Sequence, residues 1–372
     1  MDNYKNSFIE AQAKFKPLIL PYLNDYIQPI QIDEISKNLS TNHDPLLKNS
    51  VLITENSIPL VNKIIKVVCA RLRIAPEIVY TYVFPSMEIN AFAISNQFPI
   101  TIAISAGSIS RLDEEELCFV IGHEIGHALI GSLIKFDESS TSLEDMIYAR
   151  GLEISADRIG LIATKKIDYA FNAILKLLTG LDNKFLKKTD IHKLLSENII
   201  SLSKDEMYSS HPPLLIRIKA LSKLSISEDY NSMLGKSGDS SVTIEQINST
   251  TTQLLRDKVD QLALIEIDKA TQEFICWPMC LLIFNGIKLD LQNLSEKFKL
   301  NFSKEDIQKT FNFINSYPNS NRATIFHEKL ISYASRLNEI APRQLKKFND
   351  EYRKFFPTVE YFDIEFLKNT IK

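Results

Sequence analysis

The stretch His123-Glu124-Ile125-Gly126-His127 decides the fold of this chain of 372 residues. Residues four apart in a helix lie on one face, so His123 and His127 are expected to point the same way. Two imidazoles on one face can bind one metal ion. Glu124 would stand beside that ion, close enough to take a proton from metal-bound water. The stretch therefore predicts a helix that carries a metal site.

The residues around the motif support this helix. Asp113 followed by Glu116 predicts an N-cap with an acidic partner at the third helical position. The helix is apolar over most of its surface, so we expect it to be buried. Buried histidines and a buried glutamate need partners, and a metal ion supplies them. Gly122 and Gly126 cost helix propensity, and we expect them to allow a close backbone approach beside the site.

Zinc in a catalytic site takes three protein ligands and keeps one position open. A third histidine six residues after His127 is absent, because Leu133 stands there. The next candidate is Glu153, which lies four residues before Asp157 and would share a helical face with it. Glu153 could then bind the metal while Asp157 accepts the second N–H of a ligating histidine.

Other interpretations of this acidic segment stay open at the level of sequence. Glu144, Asp145 and Asp157 compete with Glu153 as the third ligand. The alternative to a ligand role is a solvated acidic face that pairs with Arg150 and Arg158. The histidine motif favours the metal-binding interpretation.

Four short stretches of the chain together resemble the M48 peptidases. These enzymes are gluzincins related to the CAAX prenyl protease and the heat-shock protease HtpX. The resemblance covers roughly residues 60–225, and it is to a soluble form, because many relatives carry transmembrane helices that this chain lacks. The four stretches are His123-Glu124-Ile125-Gly126-His127, Glu153-Ile154-Ser155-Ala156-Asp157, Ser210-His211-Pro212-Pro213 with Arg217, and Asn90-Ala91-Phe92-Ala93.

The resemblance implies a role for each residue of the first two stretches. His123, His127 and Glu153 would bind one zinc ion per chain. Glu124 would be the general base, and Asp157 would be the carboxylate behind a histidine ligand.

The other two stretches complete the implied site. His211 would either stabilise the oxyanion or approach the zinc in a closed form, and Arg217 would brace the site. Asn90, Ala91 and Phe92 would lie on a strand beside the active site and contact the substrate.

The pattern of apolar residues predicts an α+β fold that is mostly helical. The resemblance implies a gluzincin-type peptidase core, to which the apolar pattern adds a small edge sheet and an all-helical C-terminal region. β-Branched and aromatic residues predict strands at Ile78–Phe84 and Pro99–Ser105, with another within Glu88–Ser95. An edge strand beside the zinc helix could bind substrate backbone by strand addition.

The chain divides into four predicted regions. The first could be a clamp or a gate over the catalytic domain, and the last could bind a protein partner. Apolar residues at helical spacing predict further helices that include 191–202 and 291–298. The regions are 1–50, a helical extension; 51–225, the peptidase domain; 226–253, a linker or exposed loop; and 254–372, a helical domain of unknown role.

Composition limits the classes of protein and the location. A net charge of −3 with scattered lysines gives no case for nucleic acid binding. The longest apolar run, 274–284, is broken by Pro278 and is too short to span a bilayer. The N-terminus lacks the pattern of a signal peptide, and the four cysteines have no metal-ligand spacing. We therefore expect a cytoplasmic protein.

The sequence as a whole predicts a zinc-dependent endopeptidase. It would hydrolyse peptide bonds of a peptide or protein substrate by metal-activated water, with Glu124 as general base. One alternative is a latent or regulated peptidase, closed by His211 or by the N-terminal segment. Another is a non-catalytic binding or scaffold protein on a peptidase fold.

Overall fold

The structure is a computed structural model, and its described residues group into two compact units. The predicted helix at 291–298 lies outside the described residues, and so does nearly all of the one at 191–202. The described residues are 2–26, 48–94, 99–131, 141–186, 193, 207–236, 241–284, 288 and 303–355. The first unit comprises Met1–Glu138, Tyr148–Ser203 and Ser209–Val259, and the second comprises Ser139–Ile147, Lys204–Tyr208 and Asp260–Lys372.

The first unit holds a four-stranded mixed sheet with the order β1-β2-β4-β3. The central pair, β2 and β4, is parallel, with Val79 opposite Ile100, and every residue of β4 is buried. β3 runs antiparallel to β4, with Ala91 opposite Ile104, and it forms one edge of the sheet as described. The strands are β1 (Val51–Leu52), β2 (Val79–Phe84), β3 (Ala91–Ile94) and β4 (Ile100–Ser105).

Helices surround this sheet, so the mostly helical α+β fold is confirmed. α5 is counted with this unit from Tyr148 onward. The helices are α1 (Asp2–Phe15), α2 (Pro59–Leu72), α3 (Ala106–Arg111), α4 (Glu114–Gly131), α5 (Leu143–Thr164), α6 (Ile167–Thr179), α7 (Asn183–Leu186), α8 (Leu214–Ser225), α9 (Glu228–Met233) and α10 (Ile244–Lys258).

Much of the predicted linker or exposed loop at 226–253 is helical, because it contains α9 and the first part of α10. Thr243 and Gln246 form a capping box at the start of α10. Ile244 and Ile247 are buried in the core of the first unit. The Ser- and Thr-rich composition therefore marks helix caps and a polar outer face. The division into four domains stays a prediction.

The N-terminal segment is part of the core of the first unit. Phe8, Phe15 and Leu18 are at most 2% exposed. The backbone N–H of Leu20 donates to Ser155 Oγ at 3.2 Å, which joins the segment to α5. A segment buried in this way is expected to support the fold rather than to serve as a removable gate.

We expect Phe15→Ala to lower the free energy of unfolding by about 3–5 kcal/mol, because it leaves a cavity in the core. Chemical denaturation measures this change. The control is Ile9→Ala in the same helix, where the side chain is 41% exposed and the expected change is within about 0.5 kcal/mol. A gate would behave differently: Phe15→Ala would then raise peptide hydrolysis and leave the unfolding curve unchanged.

The second unit is helical and has its own core. Phe274, Trp277 and Leu330 are among its buried residues. α11 contains Pro278, and none of the described helices is long and apolar enough to cross a membrane. The remaining helices are α11 (Gln261–Phe284), α12 (Lys304–Asn315), α13 (Asn319–Ile340) and α14 (Pro342–Phe355).

Candidate metal centre

The helix that carries the motif is fixed at its first turn. The N–H of Glu116 donates to Asp113 Oδ1 and the N–H of Asp113 donates to Glu116 Oε2, both at 2.9 Å. The predicted capping interaction of α4 is therefore confirmed. Glu116 also pairs with Lys176 of α6, and both side chains are 0% exposed. The ammonium of Lys176 in turn donates to the carbonyl of Arg111 at 3.0 Å.

Two glycines let α4 and α5 approach closely. A Cβ atom on Gly126 would lie 3.0 Å from Cα of Ala156, and one on Gly122 would lie 2.4 Å from Cβ of Ala163. The predicted close backbone approach beside the motif is therefore present. It brings α5 near enough for a short carboxylate side chain to reach the histidines of α4.

Three side chains from these two helices converge. His123 Nε2 and His127 Nε2 are 3.0 Å apart, and Glu153 Oε1 is 3.1 Å from His127 Nε2. Glu153 Oε2 lies 3.7 Å from His123 Nε2. The residues are thus grouped so that one ligand atom from each lies within 4.8 Å of the others.

The competing candidates are placed elsewhere. Glu144 accepts a hydrogen bond from the backbone N–H of Arg343 at 2.8 Å, and Asp145 pairs with the guanidinium of the same arginine at 2.5 Å. Both lie in the second unit. Glu153 and Asp157 are at most 7% exposed, so they do not form a solvated acidic face.

The geometry of the cluster fits a tetrahedral metal ion. Ligand atoms bound at 2.0–2.1 Å in a tetrahedron are separated by about 3.3 Å, close to the separations between His123, His127 and Glu153. Glu153 Oε2 is buried without a hydrogen-bond partner among the described residues and lies 3.6 Å from Arg217 Nη1, so it keeps the capacity to bind a metal ion. Imidazole and carboxylate donors suit zinc.

Asp157 and Arg217 stand behind the cluster. Asp157 Oδ1 lies 2.9 Å from His123 Nδ1, which directs the opposite nitrogen of the ring towards the cluster. Arg217 donates to both oxygens of Asp157, from Nε at 2.7 Å and from Nη2 at 2.6 Å. Burial acts to raise the pKa of Asp157, but the Arg217 charge outweighs burial and lowers it, so the carboxylate stays ionised.

The charges in the cluster act on each other. Burial acts to raise the pKa of Glu153, but the charges of His127 and Arg217 hold it well below its usual range. Burial acts to lower the pKa of His127, but Glu153 outweighs burial and raises it to about 9. A metal ion that binds His127 at neutral pH must therefore displace a proton.

Glu124 lies between the cluster and the sheet. Its side chain is 6% exposed, and burial raises the pKa of its carboxyl group. It accepts a hydrogen bond from the backbone N–H of Ala93 on β3. A carboxyl group with a raised pKa is suited to accept and return a proton near neutral pH.

The edge strand is positioned by two serines that the sequence interpretation missed. The N–H of Asn90 donates to Ser108 Oγ at 2.9 Å, and the carbonyl of Asn90 accepts from the N–H of Ser105 at 2.9 Å. Because alternate residues of a strand hydrogen bond to opposite sides, Ala91 and Ala93 direct their N–H and C=O groups to the open edge. Ser105 is also the N-cap of α3, where its side chain accepts from the N–H of Ser108, and serine is one of the residues preferred at this position.

The side chain of Phe92 takes no part in these serine contacts. Its ring packs against Phe84 of β2, with ring centroids 5.6 Å apart. The predicted substrate strand, Asn90 to Phe92, is therefore held from both sides, by the serines and by this aromatic pair.

His211 reaches the cluster from the solvent side. Its side chain is 64% exposed, and its Nε2 lies 3.4 Å from Glu153 Oε1. Ser210 Oγ lies 3.0 Å from His211 Nδ1. Arg150, which is fully buried, donates to the carbonyl of Ser209 at 2.6 Å and so holds the loop in place. The sequence interpretation had not given Arg150 this role.

We expect Asp157→Asn to weaken zinc binding by about 10- to 100-fold, because it weakens the contact that orients His123. Competition with a chromogenic chelator measures the zinc affinity. The control is Ser155→Ala on the same helix, whose hydroxyl bonds Leu20 and the carbonyl of Gly151 instead. Equal zinc affinity in Asp157→Asn and the parent protein would contradict the assignment.

Comparison with known proteins finds a family model and relatives that are similar to part of this chain. Residues 59–141 and 132–225 match Peptidase family M48. Over 53 residues the chain is 40% identical to "Protease HtpX" of Acinetobacter baumannii (strain AYE). These 53 residues make up 14% of this chain and 18% of that protein. The "Protease HtpX" of Chromohalobacter salexigens matches with the same identity and coverage. The chain thus spans less than a fifth of the length of these curated relatives. No solved structure matches it with significance.

Proposed function

We propose that this chain, whose residues 59–141 and 132–225 match Peptidase family M48, is a zinc-dependent endopeptidase. One observation carries the proposal. His123, His127 and Glu153 converge as a metal-ligand set, and Glu124 lies beside them, in hydrogen-bond contact with an edge strand. The proposed substrate is a peptide or protein segment, which that strand can receive.

The edge strand supports binding of an extended substrate. The N–H of Ala93 is engaged by Glu124, and the N–H and C=O of Ala91 and the C=O of Ala93 remain for a substrate strand at this edge of the sheet as described. Main-chain pairing is independent of side chains and places the scissile bond beside Glu124. Phe92 and Phe84 lie on the sheet face where alternate substrate side chains would pass.

The catalytic step follows from the position of Glu124. His123, His127 and Glu153 would hold the zinc ion, which would supply Lewis-acid activation of the attacking water and of the scissile carbonyl. Glu124 accepts the proton of the attacking water and delivers it to the leaving amine. Its burial and its contact with the backbone of Ala93 would hold its carboxyl group in place beside the cluster.

Charge that develops on the carbonyl oxygen needs a second stabilising group. We propose His211 for this role, because its Nε2 lies on the solvent side of the cluster, 3.4 Å from Glu153 Oε1. Asp157 and Arg217 keep the arrangement rigid without contacting the substrate.

We expect Glu124→Gln to abolish cleavage of an unstructured protein while one zinc ion per chain is retained. An amide cannot accept the proton, but it leaves His123, His127 and Glu153 in place. Cleavage is followed by gel electrophoresis and mass spectrometry, and bound zinc by elemental analysis. The control is Glu114→Gln in the exposed first turn of the same helix.

The results separate the alternatives. Full cleavage by Glu124→Gln would refute the proposed base. Absence of cleavage in both proteins, with zinc bound in both, would leave the latent enzyme or the scaffold. A scaffold would lose binding of its partner on deletion of 254–372, and Glu124→Gln would leave that binding unchanged.

The latent form has one specific observation in its favour. His211 Nε2 is close enough to the cluster that a small movement of its loop would bring it to the metal. Such a fourth ligand would close the position that the attacking water requires. We favour the active enzyme, because the side chain of His211 is 64% exposed and Arg150 holds its loop through the carbonyl of Ser209.

We expect His211→Ala to lower kcat by about 100- to 1,000-fold, as on loss of one oxyanion donor, with zinc affinity unchanged. Steady-state hydrolysis of a fluorogenic peptide measures it. The control is His327→Ala, an exposed histidine of the second unit. A rise in kcat for His211→Ala would establish the latent form instead.

A further inference from the structure

The second unit contains a cavity of about 600 Å³ between α11, α12 and α13. Ligand pockets commonly have volumes of about 300–1,000 Å³. The metal centre does not account for this cavity, since none of the residues that line it belongs to the cluster of the first unit. Its lining includes Trp277, Phe313, Tyr333, Lys269, Lys309 and Lys329.

The wall of the cavity is aromatic. Trp277 stacks on Tyr333, with ring centroids 5.7 Å apart and an angle of 25° between the planes. Phe313 meets Trp277 edge to face at 6.3 Å. Trp277 is only 4% exposed, whereas Phe313 is 39% exposed. The inner rings thus form a rigid base, and Phe313 offers an apolar surface to a ligand.

The rim of the cavity is positively charged. Its two carboxylates are already paired: Asp306 with Lys309 at 3.2 Å, and Glu273 with Arg336 at 2.8 Å. Lys269 and Lys329 are exposed and have no ion-pair partner within the part of the chain that the structure describes. The rim therefore has an excess of positive charge in a chain whose net charge is −3.

We propose that this cavity binds an acidic peptide segment that carries an aromatic or large aliphatic side chain. The apolar side chain would pack on Phe313 and Tyr333, and flanking carboxylates would pair with Lys269 and Lys329. A nucleic acid is less favoured, because the lysines surround one cavity and do not form an extended basic stripe. Binding here is independent of cleavage at the metal centre.

The chain carries its own reporter for this binding. Trp277 is the only tryptophan in the sequence, so selective excitation of tryptophan reports on the cavity alone. The probe is a peptide of aspartate and glutamate residues around one central phenylalanine. It is titrated into the full-length Glu124→Gln variant, which would prevent cleavage of the probe. We expect a saturable change in emission that weakens as salt is added, because salt screens exposed charges.

Variants locate the binding. We expect the double variant Lys269→Glu/Lys329→Glu to weaken binding of the probe by about tenfold or more, because two attractions between charges become repulsions. The control is Lys346→Glu/Lys347→Glu, which makes the same charge change at exposed positions of α14 that do not line the cavity. All four lysines are exposed, so both variants should fold, and circular dichroism checks this.

Control probes test the chemistry. Replacing the central phenylalanine of the probe by alanine, or its acidic residues by lysine, should each weaken binding by about tenfold or more. No saturable change in emission with the acidic probe would overturn the proposal. So would equal loss of affinity in both double variants, equal binding of the lysine probe, or tighter binding of a single-stranded oligonucleotide.

Discussion

The close packing of α4 on α5 is the constraint on which the metal centre depends. His123 and His127 lie on α4 and Glu153 lies on α5, so their convergence requires the two backbones to approach closely. Gly126 against Ala156 allows this approach, because a Cβ on Gly126 would lie 3.0 Å from Cα of Ala156. The helix propensity lost at this glycine is therefore offset by a contact that assembles the cluster.

Charge balance stabilises this arrangement inside the core. Buried ions are unfavourable unless they are paired and hydrogen bonded. Arg217 neutralises Asp157 through two hydrogen bonds and lies 3.6 Å from Glu153. Asp157 in turn contacts His123, so one buried arginine keeps the carboxylates ionised and the imidazole oriented. The contacts thus run from arginine to carboxylate to histidine, and the carboxyl group of Glu124 is not part of this series.

A second buried arginine connects the N-terminal segment to the same helix. Arg158 donates to the carbonyl of Leu18 at 2.9 Å and to Asn248 Oδ1 at 2.6 Å. Its side chain is fully buried. It follows Asp157 directly in the sequence and points to the other side of α5. Asp157 thus orients His123 on one face of α5, and Arg158 contacts Leu18 and Asn248 on the other face.

The sequence by itself determined the helix of the motif, its cap at Asp113 and Glu116, the strands β2, β3 and β4, and the mostly helical fold. These features follow from local spacing and propensity, which short stretches of sequence contain. It also indicated His123, His127 and Glu153, because residues four apart share a face. The helices within 226–253 begin at local caps that the sequence interpretation missed, such as Thr243 with Gln246. The buried N-terminal segment and the contacts of Arg150, Ser105 and Ser108 were decided only by the tertiary structure. Each depends on groups far apart in the chain, and their proximity is set by packing, which local periodicity does not encode.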